Sequence, residues 1–191
     1  QLYDNVHHFF ETGFSQTHNL SAEFGTQTTA FRVSGQFFDN DGVVPNNTYR
    51  KYNLKISNTT KIGKFVTITP SIAFVNADNL RPLKSSSSTL GSGGYLVELY
   101  QWPADKDVRD YQDSQGNKIL LFNPNRNSDF DNPLWSSKYN KSRDKINRLI
   151  TTLAIDINPF PWLAVAGRFG YDTYKNDGYV FLNPQSYVLS T

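Results

Sequence analysis

Alternation with a period of two constrains this chain more than any other feature. In DINPFPWLAVAGRFGYD (Asp156 to Asp172), a turn holding two prolines leads into a run that splits by parity. Leu163, Val165, Gly167, Phe169 and Tyr171 fall on one side, and Ala164, Ala166, Arg168, Gly170 and Asp172 on the other. Successive side chains of a strand point to opposite faces, so this run reads as a strand with one apolar and one polar face. Five more segments repeat the pattern: His18 to Gly25, Thr29 to Phe38, Tyr49 to Thr59, Phe65 to Val75 and Lys145 to Ile157. Pro70 removes one ladder donor from the fourth, where a bulge is expected. The result is an all-β chain of about six antiparallel strands.

The connections alternate in length. Gly25 to Thr28, Thr60 to Lys64 and Asn158 to Pro161 are short turns. Asp39 to Thr48 is longer, and Asn76 to about Arg143 is very long. A connection of that size inside a compact domain points to function, since long loops are otherwise uncommon. Within it, KSSSSTLGSGG (Lys84 to Gly94) is low-complexity. YLVELYQW (Tyr95 to Trp102) places Leu96, Leu99 and Tyr100 at helical spacing before Pro103 ends it. NPNRNSDFDNPLW (Asn123 to Trp135) is dense in turn formers.

Composition narrows the classes. Charged residues make up 19% of the 191, below the roughly 25% of an average soluble domain, while aromatics reach 15%. Net charge is +2 with Lys and Arg scattered, so no nucleic-acid footprint exists. Cysteine is absent, which excludes disulfides and thiolate metal sites. There is no 18-residue apolar run for a spanning helix, and no signal-peptide pattern opens the chain.

A soluble sheet packed on one side alternates in the same way. Three features favour lipid against the apolar face. The strands run longer than the usual five or six residues, near the length that crosses a bilayer when tilted. Trp162 and Tyr171 bracket the last run; nine steps of about 3.3 Å, tilted by about 40°, give roughly 23 Å of height, close to the apolar band of an outer-membrane barrel. Short turns at one end and long loops at the other are the asymmetry such barrels display.

The chain also resembles a known family. FFETGFSQTHNLSAEFGTQTTAFRVSGQFFDNDGVVPN (Phe9 to Asn46) is similar to the start of the barrel in SusC-like, TonB-dependent outer-membrane transporters of Bacteroidetes. TYRKYNLKISNTTKIGKFVTITPSIAF resembles the following hairpin, DNPLW (Asp131 to Trp135) an Asn-Pro-aromatic-Trp signature before a strand, and NRLITTLAIDINPFPWLAVAGRFGYD the next hairpin. The resemblance implies one partial barrel domain over residues 1–191, with a long extracellular loop at about 76–143. Six strands cannot close around a lumen, and open edges in lipid are intolerable. The chain is therefore expected to be a piece of a larger transporter, with the plug and the remaining strands outside it.

What the resemblance implies for function is import of an oligosaccharide or peptide, delivered by a SusD-like lipoprotein and driven by TonB through the plug. Catalysis is not expected. Candidate substrate contacts are the loop aromatics Tyr95, Tyr100, Trp102, Tyr111, Trp135 and Tyr139, with Asp105, Asp107, Arg109 and Asp129 as polar neighbours. Aromatic faces stack on sugar rings; the competing role is packing of the loop on itself or against the lipoprotein. Arg32, Lys55, Arg148 and Arg168 are expected to face the lumen, either pairing with plug carboxylates or solvated in a wet barrel. His7, His8 and His18 make a poor metal set, because adjacent residues of a strand diverge. Asp39 to Gly42 lacks the further ligands of an EF-hand and reads as a turn. Calcium at Asp129 and Asp131 is a weak possibility, and no cofactor is expected. A passive porin-type barrel and a soluble glycan-binding sheet are the rival classes.

Overall fold

The computed structural model describes residues 1–83, 94–121 and 131–187. Six strands form one antiparallel sheet in sequence order: β1 (Phe14–Gly25), β2 (Thr29–Asp41), β3 (Thr48–Ile62), β4 (Val66–Pro82), β5 (Lys141–Phe160) and β6 (Leu163–Phe181). The sheet is open, with β1 and β6 at its edges. Three short helices accompany it: α1 (Asn5–Phe9), α2 (Tyr95–Gln101) and α3 (Pro133–Tyr139).

Every strand is longer than its alternating run. β4 continues to Pro82 and β5 begins at Lys141, so the long connection starts at Leu83 rather than Asn76. The extra residues mix polar and apolar types without strict alternation, as in Asn76 to Pro82 of β4 and Thr173 to Phe181 of β6, which hides them from a search for alternation. Tyr171 accordingly lies midway along β6, not at its end. The Asp39–Gly42 turn is also corrected: Asp39, Asn40 and Asp41 belong to β2, and the reversal follows at Gly42 to Asn47. No bulge forms at Pro70. The pairs Ser57↔Ser71 and Thr60↔Ile68 keep a single register, and the ladder merely lapses between them. The register shift lies instead between Ile157 and Phe160, beside the last turn. The β3–β4 turn needs Gly63, whose φ of 62° is left-handed.

Register assigns the faces. The row Leu20–Gly35–Leu54–Phe74–Leu149–Thr173 runs across all six strands on one side. Leu20, Phe24, Leu54, Ile56, Ile72, Phe74, Val165 and Phe169 share that side and are 41% to 80% exposed. Among the described residues no second layer covers them. Two rows toward the long-loop end, the same face becomes Gln16–Asp39–Arg50–Asp78–Lys145–Asp177. Ion pairs link Arg50 to Asp39 at 3.0 Å and Lys145 to Asp78 at 3.6 Å, and Arg143 binds Asp78 as well. An apolar band thus ends at a charged belt spanning β2 to β6.

Among the described residues, the buried apolar core lies at the long-loop end: Phe9, Leu99, Trp102, Val108 and Trp135 outside the sheet, with Ala77 of β4 beside them. There α1 packs on α2, α2 on α3, and α3 on β4. Ala77 and Ser142 are buried on the polar face of β4 and β5, while Asp78 and Arg143 on the other face stay partly open. The cap therefore folds over the polar side of the sheet.

Candidate functional site

Asparagines staple the cap together. Asn5 donates to the carbonyls of Pro103 (3.1 Å) and Lys106 (2.9 Å), and its Oδ1 accepts from Val108 N–H (3.0 Å). Asn132 caps α3 by accepting from Leu134 N–H (2.8 Å) and Trp135 N–H (3.4 Å), while its Nδ2 donates to the Val108 carbonyl (2.8 Å). Pro133 occupies the first helical position, where its missing donor costs nothing. DNPLW thus starts a short helix, and that helix leads into β5 at Lys141. Asn140 donates to Ser186 Oγ (3.0 Å) and accepts from Asn183 N–H (2.9 Å), which ties in the segment after β6.

An ion pair sits at the centre. Lys118 Nζ binds Asp131 and the Gln185 carbonyl (2.9 Å), and lies 4.4 Å from the Trp135 ring centroid and 4.1 Å from that of Tyr187. Two rings at this distance are a favourable seat for a cation that has lost its water. Asp131 also accepts from Ser186 Oγ and from Tyr187 N–H (3.1 Å). Next to this pair, Glu98 is buried with Oε1 accepting from Gly94 N–H (3.4 Å). Burial pushes the Glu98 carboxyl up to about 8, against the opposing pull of the neighbouring Ser136 hydroxyl.

The aromatic candidates separate by environment. Trp135 is fully buried, and Tyr139 packs against it at 5.1 Å with its hydroxyl accepting from Gln112 Nε2 (2.7 Å). Tyr95 stacks on Phe9 at 5.4 Å, and burial raises its phenol. Trp102 is buried and donates from Nε1 to the Lys106 carbonyl (3.1 Å). Tyr111 lies beneath Lys138, 5.4 Å from the ring centroid. Tyr100 alone of the six is largely exposed, at 78%. Asp107 forms a bidentate pair with Arg109, whose guanidinium and N–H hold its carboxyl down to about 2. Trp102, Lys106, Asp107, Asp110 and Ile119 to Leu121 enclose a cleft of about 310 Å³ on the cap surface. Asp105 is exposed beside it, and Asp129 lies outside the described residues. His7 and His8 sit in α1 rather than on a strand, with His8 Nδ1 3.8 Å from Asp107 Oδ1. His18 stacks on Phe37 in β2.

The four charged strand residues share the polar face. Arg32 lies opposite Glu23 and pairs with it at 3.1 Å. Arg148 Nε donates to Asp172 Oδ1 (2.8 Å), and Arg168 Nη2 to Asp156 Oδ1 (2.7 Å). Three of the four thus meet carboxylates of the adjacent strand, and only Lys55 has no such partner among the described residues. Sequence reasoning missed Glu98, Lys118 and Asn132; Lys118 reaches Asp131 and Gln185, and Asn132 reaches Val108, only through the fold.

The fold is an antiparallel meander with the architecture of a barrel-wall segment. No protein-family model matches the chain, and no curated protein matches it in sequence. Among solved structures, a chain of the RagAB peptide importer in the "closed-closed" state is similar to it, with a TM-score of 0.71 at 15% sequence identity. The match covers 93% of this chain and 19% of that one, so the chain spans a small part of its structural neighbour.

Proposed function

We propose that the chain forms part of the barrel wall of an outer-membrane nutrient importer of the SusC-like, TonB-dependent kind. It carries oligosaccharides or peptides with a SusD-like surface lipoprotein, and it performs no catalysis and needs no cofactor. One observation carries this reading. An uncovered apolar face ends at one level in a charged belt, as a wall does when it leaves hydrocarbon for headgroups. Lipid satisfies that face, while hydrogen bonds between strands satisfy the backbone. The likeness to a peptide importer favours peptides as cargo. The cap folded over the polar side favours a gated path over the open lumen of a passive porin.

The complete gene product tests this in cells. Expected is recovery in the outer-membrane fraction, with uptake of labelled peptide or oligosaccharide that stops when an uncoupler collapses the proton gradient. Uptake indifferent to the uncoupler identifies a porin. Recovery in the aqueous fraction without detergent rejects the membrane reading altogether.

A further inference from the structure

The polar face of the sheet is not electrically uniform. Its four strand carboxylates, Glu23, Asp144, Asp156 and Asp172, each pair with an arginine: Arg32, Arg81, Arg168 and Arg148 respectively. Left over are Lys51, Lys55 and Lys61, all on β3 and all on this face by register. None has an ion-pair partner among the described residues. The same face of β2 from Ala30 to Asn40, and of β4 from Thr67 to Asn79, carries no carboxylate to neutralise them. Ten residue steps of about 3.3 Å make this stripe roughly 33 Å long.

Hydrogen-bonding capacity lies between the charges. Asn53 sits between Lys51 and Lys55, and its Oδ1 is buried with no partner. Gln36 lies directly opposite it on β2. The amides of Asn53 and Gln36 both donate and accept, as a peptide backbone requires. Lys51 and Lys55 are four residues apart along β3, about 13 Å. An extended peptide places acidic side chains at that spacing when they too are four residues apart, and its backbone N–H groups lie between them.

We propose that the polar face of β3 is a track for extended peptides bearing carboxylates. Lys51 and Lys55 take two acidic side chains, the amide side chains of Asn53 and Gln36 meet the peptide backbone between them, and Lys61 continues the positive stripe. This rests on the importer reading and gives its substrate class a charge.

The test uses the purified complete transporter and a fluorescent peptide with two Glu residues four apart, against its Gln analogue. Anisotropy is expected to show tighter binding of the Glu peptide, weakening as salt rises. Lys51→Gln, Lys55→Gln and Lys61→Gln together are expected to weaken it about tenfold, a typical size for electrostatic attraction of a ligand, and to leave the Gln peptide unchanged. Lys55→Arg is expected to keep most of the affinity, which separates charge from wall packing. Lys175→Gln on the opposite face is expected to change nothing. Equal binding of the two peptides by the unaltered protein overturns the track. So does an equal loss for both in the triple variant, or binding of an acidic oligosaccharide in place of the Glu peptide. Uptake separates the two readings. Energised uptake of both peptides without charge preference sinks the track alone; charge-selective binding without energised uptake sinks the importer alone.

Discussion

At the scale of single residues, the cap depends on side chains that do two jobs. Asn132 both starts α3 and holds the Val108 carbonyl. Asn132→Ala is expected to cost about 1–2 kcal/mol, from a lost cap and a carbonyl left unpaired. Hydrogen exchange at the Leu134 and Trp135 amides measures this, and unchanged protection counts against the role. Trp135 fills the cap interior, so Trp135→Ala is expected to destabilise the cap by about 3–5 kcal/mol, read from the same exchange. Its tryptophan was visible in the sequence as a candidate for stacking on sugar. Only burial reveals that its face is already taken by Lys118. Nothing near Lys118 in the chain signals its partners, because Trp135 and Tyr187 reach it through folding alone.

At the scale of elements, the helices are set by tertiary contacts. A seven-residue helix is too short to persist alone in water, so α2 owes its existence to the interior it packs on. Helical spacing located α2 but not its buried side. Glu98 and Leu99 point inward, and Tyr100 points out. The raised carboxyl of Glu98 makes cap stability depend on pH. Its folded value of about 8 lies above the ordinary 4.5, so the folded state holds the proton more tightly. Stability is therefore highest below the ordinary value and falls as pH rises toward 8. Proteolysis of the cap is expected to quicken over that window. Glu98→Gln, neutral throughout, is expected to flatten the profile; a slope of unchanged size in the variant would exclude Glu98 as its source.

For the whole molecule, the decisive property is that one face of the sheet is apolar and uncovered among the described residues, while the other is polar. Ile56 and Ser57 are neighbours on β3 and point opposite ways. If hydrocarbon covers the Ile56 side, Ile56→Arg costs about 2–4 kcal/mol near the bilayer midplane, and Ser57→Arg costs little. Refolding of the complete protein into lipid vesicles measures both, and equal effects would refute the assignment of faces. The open edges of β1 and β6 present unpaired backbone groups, which further strands must satisfy in a membrane.

Alternation by itself located the strands and gave the identity of each face, because a strand's period of two is a local property of the backbone. Turn residues likewise marked the three short reversals. Strand lengths escaped, since beyond the apolar band polar and apolar residues no longer alternate, as in Thr173 to Phe181, and the pattern loses contrast. The cap was decided by tertiary structure alone. Asn5 meets Val108, Lys118 meets Asp131 and Tyr187, and Asn140 meets Ser186 across gaps that no periodicity spans. The unpaired lysines of β3 belong to the same category. Each is an ordinary charge in the sequence, and register with β2 and β4 alone leaves all three without a carboxylate.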